Sequence, residues 1–352
     1  MKKYLVTGGA GFIGSNFVMY MLKKHDDILI VNLDKLTYAG NLENLKSIEN
    51  DKRHIFVQGD ICDKDLVRKL FAEYGFDYVI NFAAESHVDR SITNPEIFVT
   101  TNVLGTVTLL QCAKEAWYDG EKWAEGKKYL QVSTDEVYGA LGETGFFTET
   151  TPLNPHSPYS ASKASADMYV QAFRDTYKMP VNITRCSNNY GPYQFPEKLI
   201  PLMINNAKQL KSLPVYGNGM QIRDWLYVED HCKAIDMVCT GGKLGEVYNV
   251  GGHNERPNIF IVKKIIEILS DKVSPEINES LIKHVEDRKG HDRRYGIDPE
   301  KIKNDLGWYP ETPFEKGIVL TINWYLENEE WMNRVTSGAY RDYYKEMYKN
   351  RM

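Results

Sequence analysis

Along the first half of the chain, short apolar runs alternate with longer stretches in which apolar residues recur every three or four positions. The short runs, at 3–7, 28–34, 54–58, 78–81 and 129–133, read as strands. The longer stretches, at 15–24, 41–48, 64–74 and 101–117, carry the helical period. This alternation predicts right-handed βαβ units, hence an α/β fold with a doubly wound parallel sheet and helices on both faces. Ligands in such sheets bind beyond the carboxyl ends of the strands, which draws attention to Gly8, Asp34, Asp60, Ala83 and Ser133.

Beyond residue 186 the pattern changes. Prolines and aromatics accumulate in Tyr190-Gly191-Pro192-Tyr193-Gln194-Phe195-Pro196, and the strand signals shorten. A chain of 352 residues exceeds the size at which one core stops growing. We therefore expect a dinucleotide-binding domain over 1–186 and a smaller, mixed C-terminal substrate lobe over 187–352. Segments 225–228 and 247–250 are expected to return to the main sheet, so that the two parts interleave.

The first strand runs into Gly8-Gly9-Ala10-Gly11-Phe12-Ile13-Gly14. Gly8 and Gly11, lacking a β-carbon, can turn sharply and let backbone N–H groups approach a pyrophosphate. Gly14 lets the following helix pack closely on the sheet, with its positive end toward the phosphates. Twenty residues after Gly14 the second strand ends in Asp34. A carboxylate there suits the adenosine-ribose hydroxyls of NAD and repels the extra phosphate of NADP.

Bulk properties exclude several classes. The formal charge of −5 argues against a large nucleic-acid or acidic-membrane footprint. Cys62, Cys112, Cys186, Cys232 and Cys239 form no C-x-x-C pair, and the histidines show no metal-ligand spacing, so no metal is expected. Lys2-Lys3 before an apolar run looks like the start of a signal peptide, but Thr7-Gly8-Gly9 breaks that run. The expectation is a cytoplasmic chain. No apolar segment approaches the ~18 residues of a membrane span; the longest candidate, 259–269, contains Lys263, Lys264 and Glu267.

Tyr159-Ser160-Ala161-Ser162-Lys163 places a phenol and an ammonium at i and i+4, about 6 Å apart on one helical face. The cation favours phenolate and is expected to pull the tyrosine pKa below its usual value of about 10. A base so poised can take a proton from a sugar hydroxyl while hydride leaves the same carbon. The plain alternative is an exposed pair on an amphipathic helix. Together with Thr7-Gly8-Gly9-Ala10-Gly11-Phe12-Ile13-Gly14-Ser15, the motif resembles the extended short-chain dehydrogenase/reductase superfamily, dominated by enzymes of nucleotide sugars.

At the end of the fifth strand stands Val132-Ser133-Thr134-Asp135-Glu136-Val137-Tyr138-Gly139. Two adjacent carboxyls disfavour double ionisation, so one can serve as acid and the other as base. That pairing suits loss of water across C5 and C6 of a hexose: Glu136 would take the C5 proton beside a C4 ketone, and Asp135 would protonate the departing C6 oxygen. Successive strand residues point to opposite faces, so the two can cooperate only if the chain turns there. A helix-capping acidic turn is the plain alternative.

The string Thr134-Asp135-Glu136 resembles the dTDP-glucose 4,6-dehydratase family. So do Thr37-Tyr38-Ala39-Gly40-Asn41, Asn81 through Ser91, Arg185 through Pro192, Gln221 through His231 and Gly290 through Tyr295. The likeness covers essentially the whole chain. It implies a hydro-lyase that keeps a tightly bound NAD, converts dTDP-glucose to the 4-keto-6-deoxy sugar and forms a homodimer through helices near 101–117 and 159–176. By that resemblance Thr134, Asp135, Glu136, Tyr159 and Lys163 are catalytic. Besides Gly8, Gly11 and Gly14, the NAD site would be lined by Phe12, Ile13, Asp34, Lys35, Asp60, Ile61, Ala83, Ser86, Thr101, Tyr159, Lys163 and Asn189. The nucleotide sugar would face Ser86, Thr134, Asn188, Lys198, Leu199, Pro214, Tyr216, Arg223, Asn258, Asp287, Arg288 and His291.

Arg223 and Arg288 suit a pyrophosphate held without metal. Residue physics alone reads 283–294 as a solvated charged face and His87 as a hydrogen-bonded structural histidine. The chain departs from the family in having Lys289 where a proline is usual, which frees that loop. A nucleotide-sugar 4-epimerase and a UDP- or GDP-sugar dehydratase are the nearest alternatives. A non-catalytic NAD-binding scaffold is the remote one.

Overall fold

In the computed structural model, which describes residues 1–287 and 290–336, seven strands build one parallel sheet. In chain order the strands are β1 (Lys2–Thr7), β2 (Ile28–Asp34), β3 (His54–Gln58), β4 (Tyr78–Asn81), β5 (Lys128–Thr134) and β6 (Val181–Cys186). The remainder are β7 (Asn188–Tyr190), β8 (Leu213–Tyr216), β9 (Ile222–Tyr227), β10 (Val247–Val250), β11 (Glu255–Pro257) and β12 (Ile282–Val285). The large sheet has the order β10-β6-β5-β4-β1-β2-β3. Its strand order reverses between β1 and β4, the switch point at which such sheets open a crevice for a ligand. The five strands expected in the first half are present, β2, β3 and β4 with the expected bounds.

Between the strands of the first half run six helices: α1 (Phe12–Lys24), α2 (Lys64–Tyr74), α3 (Val88–Thr93), α4 (Pro95–Phe98), α5 (Gly105–Trp117) and α6 (Pro158–Tyr177). Helix α1 starts three residues before the expected Ser15, because the glycine loop tightens directly into the first turn. The stretch expected as a helix at 41–48 is a 3₁₀ turn, Leu42–Ile48, entered through an Asn41 side-chain cap. The stretch expected at 101–117 is broken: a wide π turn, Val99–Leu104, precedes α5.

Of the two late segments expected in the main sheet, 247–250 does join it as β10, beside β6. The other is corrected. Strand β9 lies in a separate three-stranded sheet, antiparallel to β11 and parallel to β7. Arg223 and Asp224 on β9 are buried, and this second layer carries them beneath the site instead of at the sheet edge. Strands β12 and β8 pair separately. A core of buried residues drawn entirely from Tyr190 to Val335 supports this part, whereas Trp308 packs into the core around β1.

The expectation that no segment is long and apolar enough to cross a membrane is also corrected. Among the described residues, the 23-residue helical stretch Pro95–Trp117 meets that test, and half of its most apolar window is buried in the fold. Its inner side packs in the core through Leu109, Leu110, Cys112 and Ala113. Its outer side exposes Val99 and Leu104.

Candidate active site

The glycine loop closes over the end of β1 as its spacing requires. Gly8 has φ +70°, and a β-carbon on it would lie 2.6 Å from the Ala83 nitrogen. A β-carbon on Gly14 would lie 2.2 Å from the Gly8 carbonyl oxygen. Gly11 caps α1 without a side-chain hydrogen bond, and no acidic residue stands in the first turn. The first N–H groups of α1 thus face a cavity of about 320 Å³ with no competing anion.

Asp34 is buried at the end of β2. Its two carboxylate oxygens accept from the Ala10 N–H at 2.9 Å and the Leu36 N–H at 2.8 Å. Burial raises its pKa, and those two N–H groups oppose the rise. The carboxylate is thereby fixed in the cavity wall with lone pairs to spare for hydroxyl donors. Lys35 pairs with Asp60 at 2.7 Å farther along the same wall. Ile61, Ala83, Ser86, Asn189 and Thr101, the last on the π turn, complete it together with Phe12 and Ile13. A crevice with a bare helix N-terminus and a fixed acid bonded to the same glycine loop fits a dinucleotide pyrophosphate and its ribose.

The same cavity reaches Thr134, Asp135, Glu136, Tyr159 and Lys163. The chain does turn where the carboxyl pair requires it: β5 ends at Thr134, and Asp135–Tyr138 form a 3₁₀ turn. Thr134 caps this turn by accepting from the Glu136 N–H at 3.3 Å, and its hydroxyl donates to Asp135 Oδ1 at 3.3 Å. Asp135 is 1% exposed, and its Oδ2 has no hydrogen-bond partner among the described residues. Burial, then the negative Glu136 and Asp224, push its pKa well above the carboxylate range. Both effects favour the protonated form of this carboxyl. Glu136 is half-buried and borders a second cavity as well.

Tyr159 and Lys163 lie on one face of α6, whose N-terminus is fixed by a Ser157–Ser160 capping box. The expected lowering of the tyrosine pKa is corrected in sign. Burial, followed by the charge of Glu136, raises it well above its usual value, while a hydrogen bond with Thr134 works in the opposite direction. Lys163 is itself buried, with its pKa lowered by that burial, and its Nζ donates to the Val132 carbonyl at 2.7 Å. Desolvation therefore sets the direction of both shifts in this pocket.

The second cavity, of about 170 Å³, adjoins the first, sharing Glu136, Asn188, Glu197 and Lys198 with it. Leu199, Pro214, Tyr216, Arg223, Asn258 and His291 line it. Ser86 and Thr134 open on the first cavity instead. Arg223 is held over the Tyr295 ring at 4.2 Å and donates to the Ile222 and Asp292 carbonyls. Asp287 does not line the cavity. It is exposed, bonded to His291 Nδ1 at 2.6 Å and accepting from Gln221 Nε2 at 2.8 Å. Arg288 and Lys289 lie outside the described residues. The charged stretch 283–294 is thus more than a solvated face, since His291 and Asp292 enter the site. His87 caps α3. Among the described residues no group of three or more His, Cys, Asp or Glu is placed to hold a metal ion.

Sequence reasoning missed Glu197 and Asp224. Glu197 sits where the cavities meet, with its side chain 1% exposed; burial raises its pKa to about 7, opposed by Lys198 and Arg90. Asp224 lies behind Asp135 and accepts from the Gly252 and Asn254 N–H groups at 2.7 Å each. Glu197 lies outside the strings singled out in the sequence, and Asp224 lies within 221–231 with no chemical signature of its own, so burial is what marks both.

The protein-family model for GDP-mannose 4,6 dehydratase matches residues 5–321. A dTDP-glucose 4,6-dehydratase of Xanthomonas campestris is 55% identical, over 97% of this chain and 98% of its own length. The crystal structure of dTDP-glucose 4,6-dehydratase from Bacillus anthracis, in complex with NAD, is 51% identical and superposes with a TM-score of 0.86 over 95% of this chain and all of that one. The enzyme from Streptomyces venezuelae, also with NAD bound, is 46% identical, with a TM-score of 0.86 over 94% of this chain and 98% of that one. The sheet order, the glycine cradle and these likenesses agree: the chain belongs to the GDP-mannose 4,6 dehydratase family and, within it, to the dTDP-glucose 4,6-dehydratases.

Proposed function

We propose that this chain is an NAD-dependent hydro-lyase that converts dTDP-glucose to dTDP-4-keto-6-deoxyglucose, using Thr134, Asp135, Glu136, Tyr159 and Lys163. The observation that carries the reading is the pairing of a buried Asp135, whose pKa burial raises, with a half-buried Glu136 at the junction of two cavities. The cradle of Gly8, Gly11 and Gly14 would hold the pyrophosphate of NAD and Asp34 its ribose. When bound, NAD supplies a positively charged ring that takes hydride from C4 of the sugar and returns it to C6.

Tyr159, bonded to Thr134, takes the proton of the C4 hydroxyl. Because burial disfavours phenolate, a cation must offset it, and Lys163 one turn along α6 is the chain's own source. With a ketone at C4, the C5 proton becomes acidic; Glu136 removes it and gives a proton back to C5 when C6 receives hydride. Asp135 gives its proton to the C6 oxygen, which leaves as water. Arg223, Tyr216, Asn258 and His291 would bind the dTDP end, and Ser86, Asn188, Lys198, Leu199 and Pro214 the rest of the nucleotide sugar.

Purified protein given dTDP-, UDP-, CDP- and GDP-sugars tests the reading by product mass. Loss of one water from dTDP-glucose is expected, and substrate deuterated at C4 should deliver its label to C6. An unchanged mass identifies an epimerase, and label in solvent overturns internal hydride return. A site that turns over none of these sugars points to the scaffold reading.

A homodimer is part of the same proposal. Val99, Leu104, Met168 and Tyr169 are each more than 40% exposed along the α5–α6 face, a surface that a second copy would cover. Cytoplasmic residence fits the five free cysteines.

A further inference from the structure

Tyr159 and Lys163 stand on α6, whereas Asp135 and Glu136 stand on the 3₁₀ turn after β5. A buried polar bridge joins those two elements from behind. Asp167 lies one turn beyond Lys163 on α6, continuing the four-residue spacing of 159 and 163. Its Oδ2 accepts from Arg185 Nε at 2.9 Å. Arg185 Nη1 donates to the hydroxyl of Tyr138 at 2.9 Å, and Tyr138 is the last residue of the turn that carries Asp135 and Glu136. The same hydroxyl donates to Asn249 Oδ1 at 2.8 Å. Arg185 on β6 sits in register between Ser133 on β5 and Asn249 on β10. Exposure is 1% at Arg185, 0% at Asp167, 2% at Tyr138 and 0% at Asn249.

We propose that Arg185, bonded to Asp167 and Tyr138, is a positioning strut that keeps the oxidation pair and the elimination pair in one register. This rests on the roles assigned to those pairs under the proposed function. The two pairs must act in turn on neighbouring carbons of one bound sugar, and a misplacement of about 1 Å can cost roughly a hundredfold in rate. A buried ion pair is a poor device for stability alone, because apolar residues of similar volume often serve as well. It is a good device for direction, since the planar guanidinium fixes both partners at set angles. Lys163 is tied separately to the Val132 carbonyl, so loosening the strut at Tyr138 shifts the turn while Lys163 stays anchored.

Tyr138→Phe removes only the hydroxyl and keeps the ring, so it tests the strut with little risk to folding. Asp167→Asn breaks the other end, and thermal unfolding shows whether that variant folds. With dTDP-glucose, kcat of Tyr138→Phe should fall about tenfold or more while KM stays within about twofold. Reduced nicotinamide absorbance should build up during turnover, because oxidation at C4 continues while elimination lags. Glu136→Gln is the control for the underlying roles. Build-up in both variants supports the strut. Build-up in Glu136→Gln but not Tyr138→Phe overturns the strut and leaves the role of Glu136 standing. No build-up in Glu136→Gln overturns that role, and the strut falls with it.

Discussion

Asp135 and Glu136 are neighbours in sequence with different surroundings: Asp135 is 1% exposed, with one oxygen unpartnered among the described residues, while Glu136 borders both cavities. The contrast exists because the chain leaves β5 at Thr134 and tightens into a 3₁₀ turn. Asp135→Asn and Glu136→Gln keep the shapes and remove the proton chemistry. Each should lower kcat for water loss by roughly 10²–10⁴-fold, with dTDP-glucose binding measured by calorimetry little changed. Wild-type turnover in either variant would remove that residue from the mechanism.

Gly14→Ala places a methyl group against backbone, 2.2 Å from the Gly8 oxygen, where no side chain can move aside. Overpacking of this kind costs about 1–3 kcal/mol, here at the cradle itself. The purified variant should carry far less NAD per chain than the parent protein, measured by absorbance after denaturation. Full NAD content would contradict the cradle.

Glu197 makes stability depend on pH. Its pKa rises from 4.5 in the unfolded chain to about 7 when folded, with burial as the main cause. Between those values the folded state binds more protons than the unfolded state, so this group makes stability fall as pH rises. Over the full interval the loss is about 3 kcal/mol. Urea unfolding from pH 4 to 8 should show a decline steeper in the parent than in Glu197→Gln, because Asp135 and Asp34, also raised by burial, contribute the same sign to both. Parallel curves would refute it.

The exposed α5–α6 face makes its own prediction. Leu104 is 52% exposed, and Leu104→Asp leaves the core untouched. If a second copy covers this face, sedimentation should give a dimer for the parent protein and a monomer for the variant. A parent chain that sediments as a monomer disposes of the dimer.

Much of the architecture is legible in the sequence because it is local. Gly8, Gly11 and Gly14 encode a loop through what their backbones permit, and runs such as 54–58 encode strands through what they must bury. Strand β9 departs from the main sheet, against expectation, because an apolar run names no partner. Which sheet it joins depends on β7 and β11, formed by other parts of the chain. Thr101 lies on a π turn and not on a regular helix for a similar reason, since a π turn has no signature in residue type.

The sequence by itself determined the α/β alternation, the glycine cradle ending in Asp34, and the presence of Tyr159, Lys163, Asp135 and Glu136 close to the strand ends. Only the tertiary structure decided their electrostatics. The Asp135 pKa is raised because the carboxyl is buried, with the charges of Glu136 and of Asp224, from another sheet, acting on it. The Tyr159 pKa is raised, not lowered, because the side chain is buried beside the charge of Glu136. Glu197 and the Arg185–Asp167–Tyr138 bridge belong to the same class. Backbone conformation and periodicity are written in neighbouring residues, whereas burial and charge are set by groups that only folding brings together.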